Sequence, residues 1–224
     1  MIIRGWALRF ASSVVTRGVK SPGSKKRLVV LSITAAVALG VATVQAGAIA
    51  ADVNVRGKGA YCLSSDAARN LTAQGVTLEA VAPATIDDTC VTMPGAGTVA
   101  PDLTGGQVPL EGGMRFTSAT GHHLDITHMI GHVRIGEGYN TADVAVDNEA
   151  AVNLDIAHWP VSMSRVSITP TTASMKDIPL TLTADARAAF IRAFGASPTA
   201  KDEPIFLFTG QGAITNPFSQ LPKP

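Results

Sequence analysis

Helical periodicity occurs in only two stretches of this chain, residues 66–74 and 184–194. The rest of the chain beyond residue 55 alternates apolar and polar side chains between frequent glycine and proline turns. Strands are expected over 55–63, 76–81, 90–93, 114–117, 122–127, 130–135, 142–146, 152–156, 162–169, 178–182 and 205–208. Both helices carry local start and stop signals. Ser64, Ser65 and Asp66 offer capping oxygens before the first, and Gly75 follows it; Thr183 caps the second, and Gly195 ends it. The segments Leu63-Ser-Ser-Asp66…Gly75 and Leu182-Thr-Ala-Asp185…Gly195 echo each other, as two related halves or simply as two capped strand-to-helix turns. The expected fold is mainly β: an antiparallel β-sandwich or curled sheet with two short helices capping its open ends.

Residues 1–50 follow a different logic. They hold seven lysines and arginines (Arg4, Arg9, Arg17, Lys20, Lys25, Lys26, Arg27), no acidic residue, and an apolar run from Leu28. That is the layout of an export signal, with Ala48-Ile-Ala50 as the cleavage site and Val44-Gln-Ala46 as its alternative. A retained membrane anchor over 28–51 is the competing reading. The expected division is a cleaved signal over 1–50, one β-rich domain over 51–214 and a tail over 215–224. Removing the signal takes seven of 18 basic residues and none of 17 acidic ones, so the remaining chain has 11 against 17 and a net charge of −6. A domain this acidic, with no basic stripe, argues against a nucleic-acid partner. Its expected location is extracellular or in the cell-wall space, off the membrane once the signal is cleaved.

Cys62 and Cys90 both lie in the exported part, where two thiols are expected to pair rather than persist as two small buried hydrophobes. The bridge would close a loop of about 28 residues and contribute roughly 3–4 kcal/mol.

Chemistry-bearing motifs are sparse. His122, His123, His128 and His132 fall within eleven residues, but no H-E-x-x-H or H-x-H spacing makes them a metal site. His158 precedes Trp159-Pro160 as a strand-end residue. Asp143, Asp147, Glu149 and Asp155 lack the order of a calcium loop and read as a solvated strand face. There is no G-x-S-x-G, phosphate loop or dinucleotide fingerprint. The residues therefore predict no enzyme. They predict an exported binding or surface module whose partner is an unknown ligand or a component of the cell envelope.

Three stretches in order resemble secreted actinobacterial proteins related to the haem-transport-associated (Htaa) domain. They are Gly59-Ala-Tyr-Cys-Leu63 with residues 71–84, then residues 108–116 containing Gly112-Gly-Met-Arg-Phe116, and finally residues 178–190 with Leu182-Thr-Ala-Asp-Ala186. The middle stretch resembles the family's GG-x-R/K-F strand, followed by an LDLT-like strand, here Leu124-Asp-Ile-Thr127. The likeness runs over roughly residues 55–214. It implies an exported β-rich domain and, as in the best-known members, haem bound through a tyrosine with a histidine nearby. Carried onto this chain, the ligand is Tyr61, and His122 or His123 orients or stabilises it. The alternative function is thus haem binding within a haem-uptake system.

Overall fold

The computed structural model describes residues 52–162 and 164–215, so the expected export signal over 1–50 and all but the first residue of the expected tail over 215–224 lie outside the described residues. The first strands are β1 (Val53–Leu63), β2 (Val76–Val81), β3 (Thr85–Asp87), β4 (Cys90–Val99), β5 (Gly105–Pro109) and β6 (Gly113–Ser118). They are followed by β7 (His123–Arg134), β8 (Glu137–Val146), β9 (Val152–Pro160), β10 (Val166–Ile168), β11 (Thr172–Leu182) and β12 (Pro204–Thr215). Helix α1 (Ser65–Ala73) follows β1, and α2 (Ala184–Phe194) follows β11. No helix among the described residues is long and apolar enough to cross a membrane.

Every strand pairing is antiparallel, and the order β7-β5-β4-β1-β12-β11-β9-β8 returns to β7. The molecule is therefore mainly β with two helices, as expected, but the sheet is neither a sandwich nor left open as a curled layer. It closes into an eight-stranded barrel. Closure satisfies the backbone groups that edge strands would expose. The ring is unequally zipped. β1 shares ten residue pairs with each neighbour, whereas β11 meets β9 only through Thr181↔His158 and Leu182↔Ala157. The other strands flank the ring: β6 extends from the first half of β7 and carries β2, β3 lies on β4, and β10 lies on β11.

Tight coiling explains part of the glycine content. A Cβ on Gly57 would sit 2.0 Å from the Gln211 carbonyl oxygen and 2.4 Å from the Gly212 Cα, so β1 and β12 approach this closely only without a side chain there. The same tolerance lets β4 run through Pro94-Gly-Ala-Gly97, where a loop was expected, and lets β12 continue through Gly210-Gln-Gly212. The two strands expected over 122–127 and 130–135 are one strand, β7, bent where His128 takes φ 49° between Thr127 and Ile130.

The helices begin and end where their local chemistry dictates. Ser64 Oγ accepts the Ala67 N–H at 3.2 Å, and Gly75 takes φ 68° after α1. Thr183 Oγ1 accepts the Ala186 N–H at 3.1 Å, and Gly195 at φ 81° ends α2. Helix α2 packs on β7, β8 and β9 and buries Phe190 against Phe116, their centroids 4.9 Å apart edge to face. In the same core lie the buried Met114, Leu124, Ile126, Val144 and Ile156. Cys62 and Cys90 face each other in register on β1 and β4, and the structure joins them in a disulfide with Cα atoms 3.9 Å apart.

Candidate functional site

Strand parity decides what the barrel encloses. Along β1 the odd positions, Val55, Gly57, Gly59 and Tyr61, are the more buried, and along β8 so are Gly138, Asn140, Ala142 and Val144. Toward the Phe116–Phe190 end these inward positions are large and close-packed. Toward the other end they leave a cleft of about 130 Å³ with an almost wholly apolar lining, to which every strand of the ring contributes. On one side the wall is nearly bare. Gly95, Gly57 and Gly212 lie opposite one another across β4, β1 and β12, with Ala173 next on β11. On another side β10 supplies Val166 and Ile168.

Tyr61 forms the floor, 2% exposed, its ring tilted against Phe208 at 4.8 Å and edge-on to Phe206 at 5.9 Å. Asn140 Nδ2 donates to Tyr61 Oη at 3.2 Å. Burial pushes the phenol well above its ordinary pKa, and the hydrogen bond from Asn140 pulls it partly back, because a donated N–H favours the phenolate. Asn140 is itself 1% exposed, and its Oδ1 has no hydrogen-bond partner in the protein. One row toward the rim, Trp159 lies across Gly138, where a Cβ would fall 2.1 Å from the indole, and Trp159 Nε1 is also buried without a partner. Among the described residues, Lys58 is the only charged one at the cleft, and its side chain is on the exposed face of β1.

The two candidate histidines lie elsewhere. His122 Nδ1 is 3.0 Å from Asp147 Oδ2, and the His123 backbone N–H donates to Asp147 Oδ1 at 2.8 Å. These contacts hold the Asp147 carboxylate below its usual range, the backbone N–H first and the His122 ring second. His123 precedes Gly131, which lines the cleft beside Asn140, by eight positions on β7, or about 25 Å of strand. The structure thus brings Tyr61 together with Asn140 and with neither His122 nor His123. His128 pairs with Asp143 at 3.2 Å. His132 stacks on Tyr139 outside the barrel and is held toward its neutral form, chiefly by burial. Among the described residues, no group of three His, Cys, Asp or Glu could hold a metal ion.

Asn140 lies outside the strand expected over 142–146, and Trp159, expected only as a buried indole beside His158, outside the one expected over 152–156; the first of these strands begins at Glu137 and the second runs on to Pro160. The start at Glu137 places Asn140 on the inward parity of Ala142, Val144 and Val146, a lone amide in an apolar row.

No family profile and no curated protein matches the chain by sequence. Solved structures do match by fold. The C-terminal domain of HtaA from Corynebacterium glutamicum, at 15% identity, covers 73% of this chain and 99% of its own length with a TM-score of 0.56. The N-terminal domain of HtaA from the same organism, at 12% identity, covers 72% of this chain and 98% of its own length with a TM-score of 0.53. The described chain therefore has the fold of the HtaA domains, the haem-transport-associated fold that its three sequence stretches resemble.

Proposed function

We propose that the chain is an exported, non-enzymatic binding module whose ligand is haem, held in the barrel cleft against Tyr61. The single observation that carries this reading is a buried phenolic oxygen on the floor of an otherwise apolar cleft. The shared fold with the HtaA domains supports it. The donor set fits the group: haem when bound supplies a ferric iron that accepts a phenolate oxygen, and tyrosine is an established axial ligand. Asn140 holds that oxygen by its Nδ2–H. An amide supplies a hydrogen bond but no base, so the phenol proton leaves to solvent rather than to a neighbour. Val99, Val108, Leu110, Val133 and Phe208 exclude water, and the glycine row leaves a flat wall. The cleft is smaller than the roughly 300–1,000 Å³ usual for ligand pockets. Admitting a porphyrin therefore requires a wall to move, and β10, paired on one side only, is the one least restrained.

Hemin titration tests this reading. The expected result is a Soret band that saturates at one hemin per chain and is abolished in Tyr61→Phe, with folding unchanged. An unaltered free-hemin spectrum removes the haem reading and leaves a binding or surface module with an unknown ligand.

A further inference from the structure

Two residues that line the cleft each carry a covered polar atom with no partner in the protein, and the two are of opposite kind: Asn140 Oδ1 accepts, and Trp159 Nε1–H donates, so a small turn of either side chain presents it to the cleft. Leaving either desolvated and unpaired is unfavourable. They sit in adjacent rows. Gly131, Asn140 and Ala157 form one, and Val133, Gly138 and Trp159 the next, on the same inward parity of β8. Yet they do not bond to each other. A group that donates to one while accepting from the other satisfies both, and a hydroxyl is the smallest that does so. The remainder of the lining is apolar, and no inward side chain carries charge, so an ionised head group would be buried without a counterion.

On the reading that the cleft is a ligand site, we infer that it also takes an uncharged amphiphile: an unbranched apolar chain ending in a hydroxyl, as in a long-chain alcohol or a protonated fatty acid. The hydroxyl donates to Asn140 Oδ1 and accepts from Trp159 Nε1–H. The chain lies along the glycine wall toward the rim.

Trp159 supplies the readout. The sequence has two tryptophans, and Trp6→Phe in the full chain leaves Trp159 as the only indole. Its emission is followed during titration with 1-decanol, with decyl methyl ether (which keeps the acceptor and loses the donor), and with decanoic acid at pH 5 and pH 8. The expected result is a saturable shift with decanol at a half-saturation at least tenfold below that of the ether. Decanoic acid should act at pH 5 and lose the effect at pH 8. If decanoic acid acts and decanol does not, the recognised head is the carboxylic acid; if decanol alone acts, it is the alcohol. Asn140→Leu should bring decanol and ether to equal affinity, and if that variant does not fold, the alcohol–ether comparison in the unaltered cleft decides alone. No shift with any probe, or equal affinity for alcohol and ether, overturns the inference. Hemin titration of the same protein keeps the two readings apart: a Soret band without a response to either decanol or decanoic acid leaves haem and removes the amphiphile, and the reverse result does the opposite.

Discussion

The two ends of the barrel are built on one lattice and filled in opposite ways. Around α2, the inward positions are Phe116, Leu124, Ile126, Val144 and Ile156, and Phe190 closes over them. Toward the cleft the corresponding positions are Gly57, Gly95, Gly131 and Gly212, with half-buried valines between them. Strands β7, β8 and β9 run through both ends, while β6 joins them at the packed end and β1, β4 and β12 carry the glycine wall of the cleft. Side-chain volume sets the two ends apart. The lesson is that the packed end holds the ring together and the hollow end is a place left unfilled, so stability and ligand uptake should separate by position.

The largest expected effect lies at the packed end. Phe190→Ala removes a fully buried ring and should cost about 3–5 kcal/mol, read as a lower denaturant midpoint at unchanged m. A loss below about 1 kcal/mol would erase the contrast between the ends. Replacing Cys62 and Cys90 together by alanine should cost roughly 3–4 kcal/mol through the freed 28-residue loop, without altering hemin uptake by the folded fraction. Gly131→Leu sharpens the comparison from the other side. A Cβ there meets only Asn140 Nδ2 at 3.6 Å and the Val108 carbonyl at 3.8 Å, so the side chain enters free space. Stability should stay within about 1 kcal/mol, while hemin affinity falls at least tenfold. Equal uptake by this variant would place the ligand elsewhere.

The smallest effect is a pH dependence from outside the barrel. His132 has a folded pKa below its ordinary value, so the unfolded chain binds the proton first. Its contribution is intact above about pH 6.5 and is lost as the pH falls through the depressed folded value. Asp147, also depressed, keeps its contribution down to about pH 4 and loses it below. Chemical denaturation at several pH values should show both declines on acidification, and His132→Gln should remove the upper one alone.

How much of this was legible in the sequence follows from the range of the forces involved. The limits of α2 were read correctly because Thr183 and Gly195 act within one turn of the helix they bound. Strand β2 was equally local, a short alternating run stopped by Pro83. The course of β4 was hidden because Pro94, Gly95 and Gly97 signal a loop in isolation and a side-chain-free wall only once β1 and β5 lie beside them. Ring closure depends on β9 meeting β11, a pairing that no window of sequence contains. Tyr61 entered through the family likeness alone. Its neighbour Asn140, 79 residues away, is a product of the fold.

The uneven zipping of the ring decides where it is strong. The bridge between Cys62 and Cys90 rivets β1 to β4, on the far side of the circle from the two residue pairs that hold β9 to β11. A ring fastened in this way is held firmly on both sides of β1 and thinly at two seams of two residue pairs each, β9–β11 and β4–β5. Parting either seam breaks two residue pairs, against the ten that hold β1 to either neighbour. Cohesion is thus spread unevenly around the circle, and the disulfide adds to it at a junction that is already among the most fully paired.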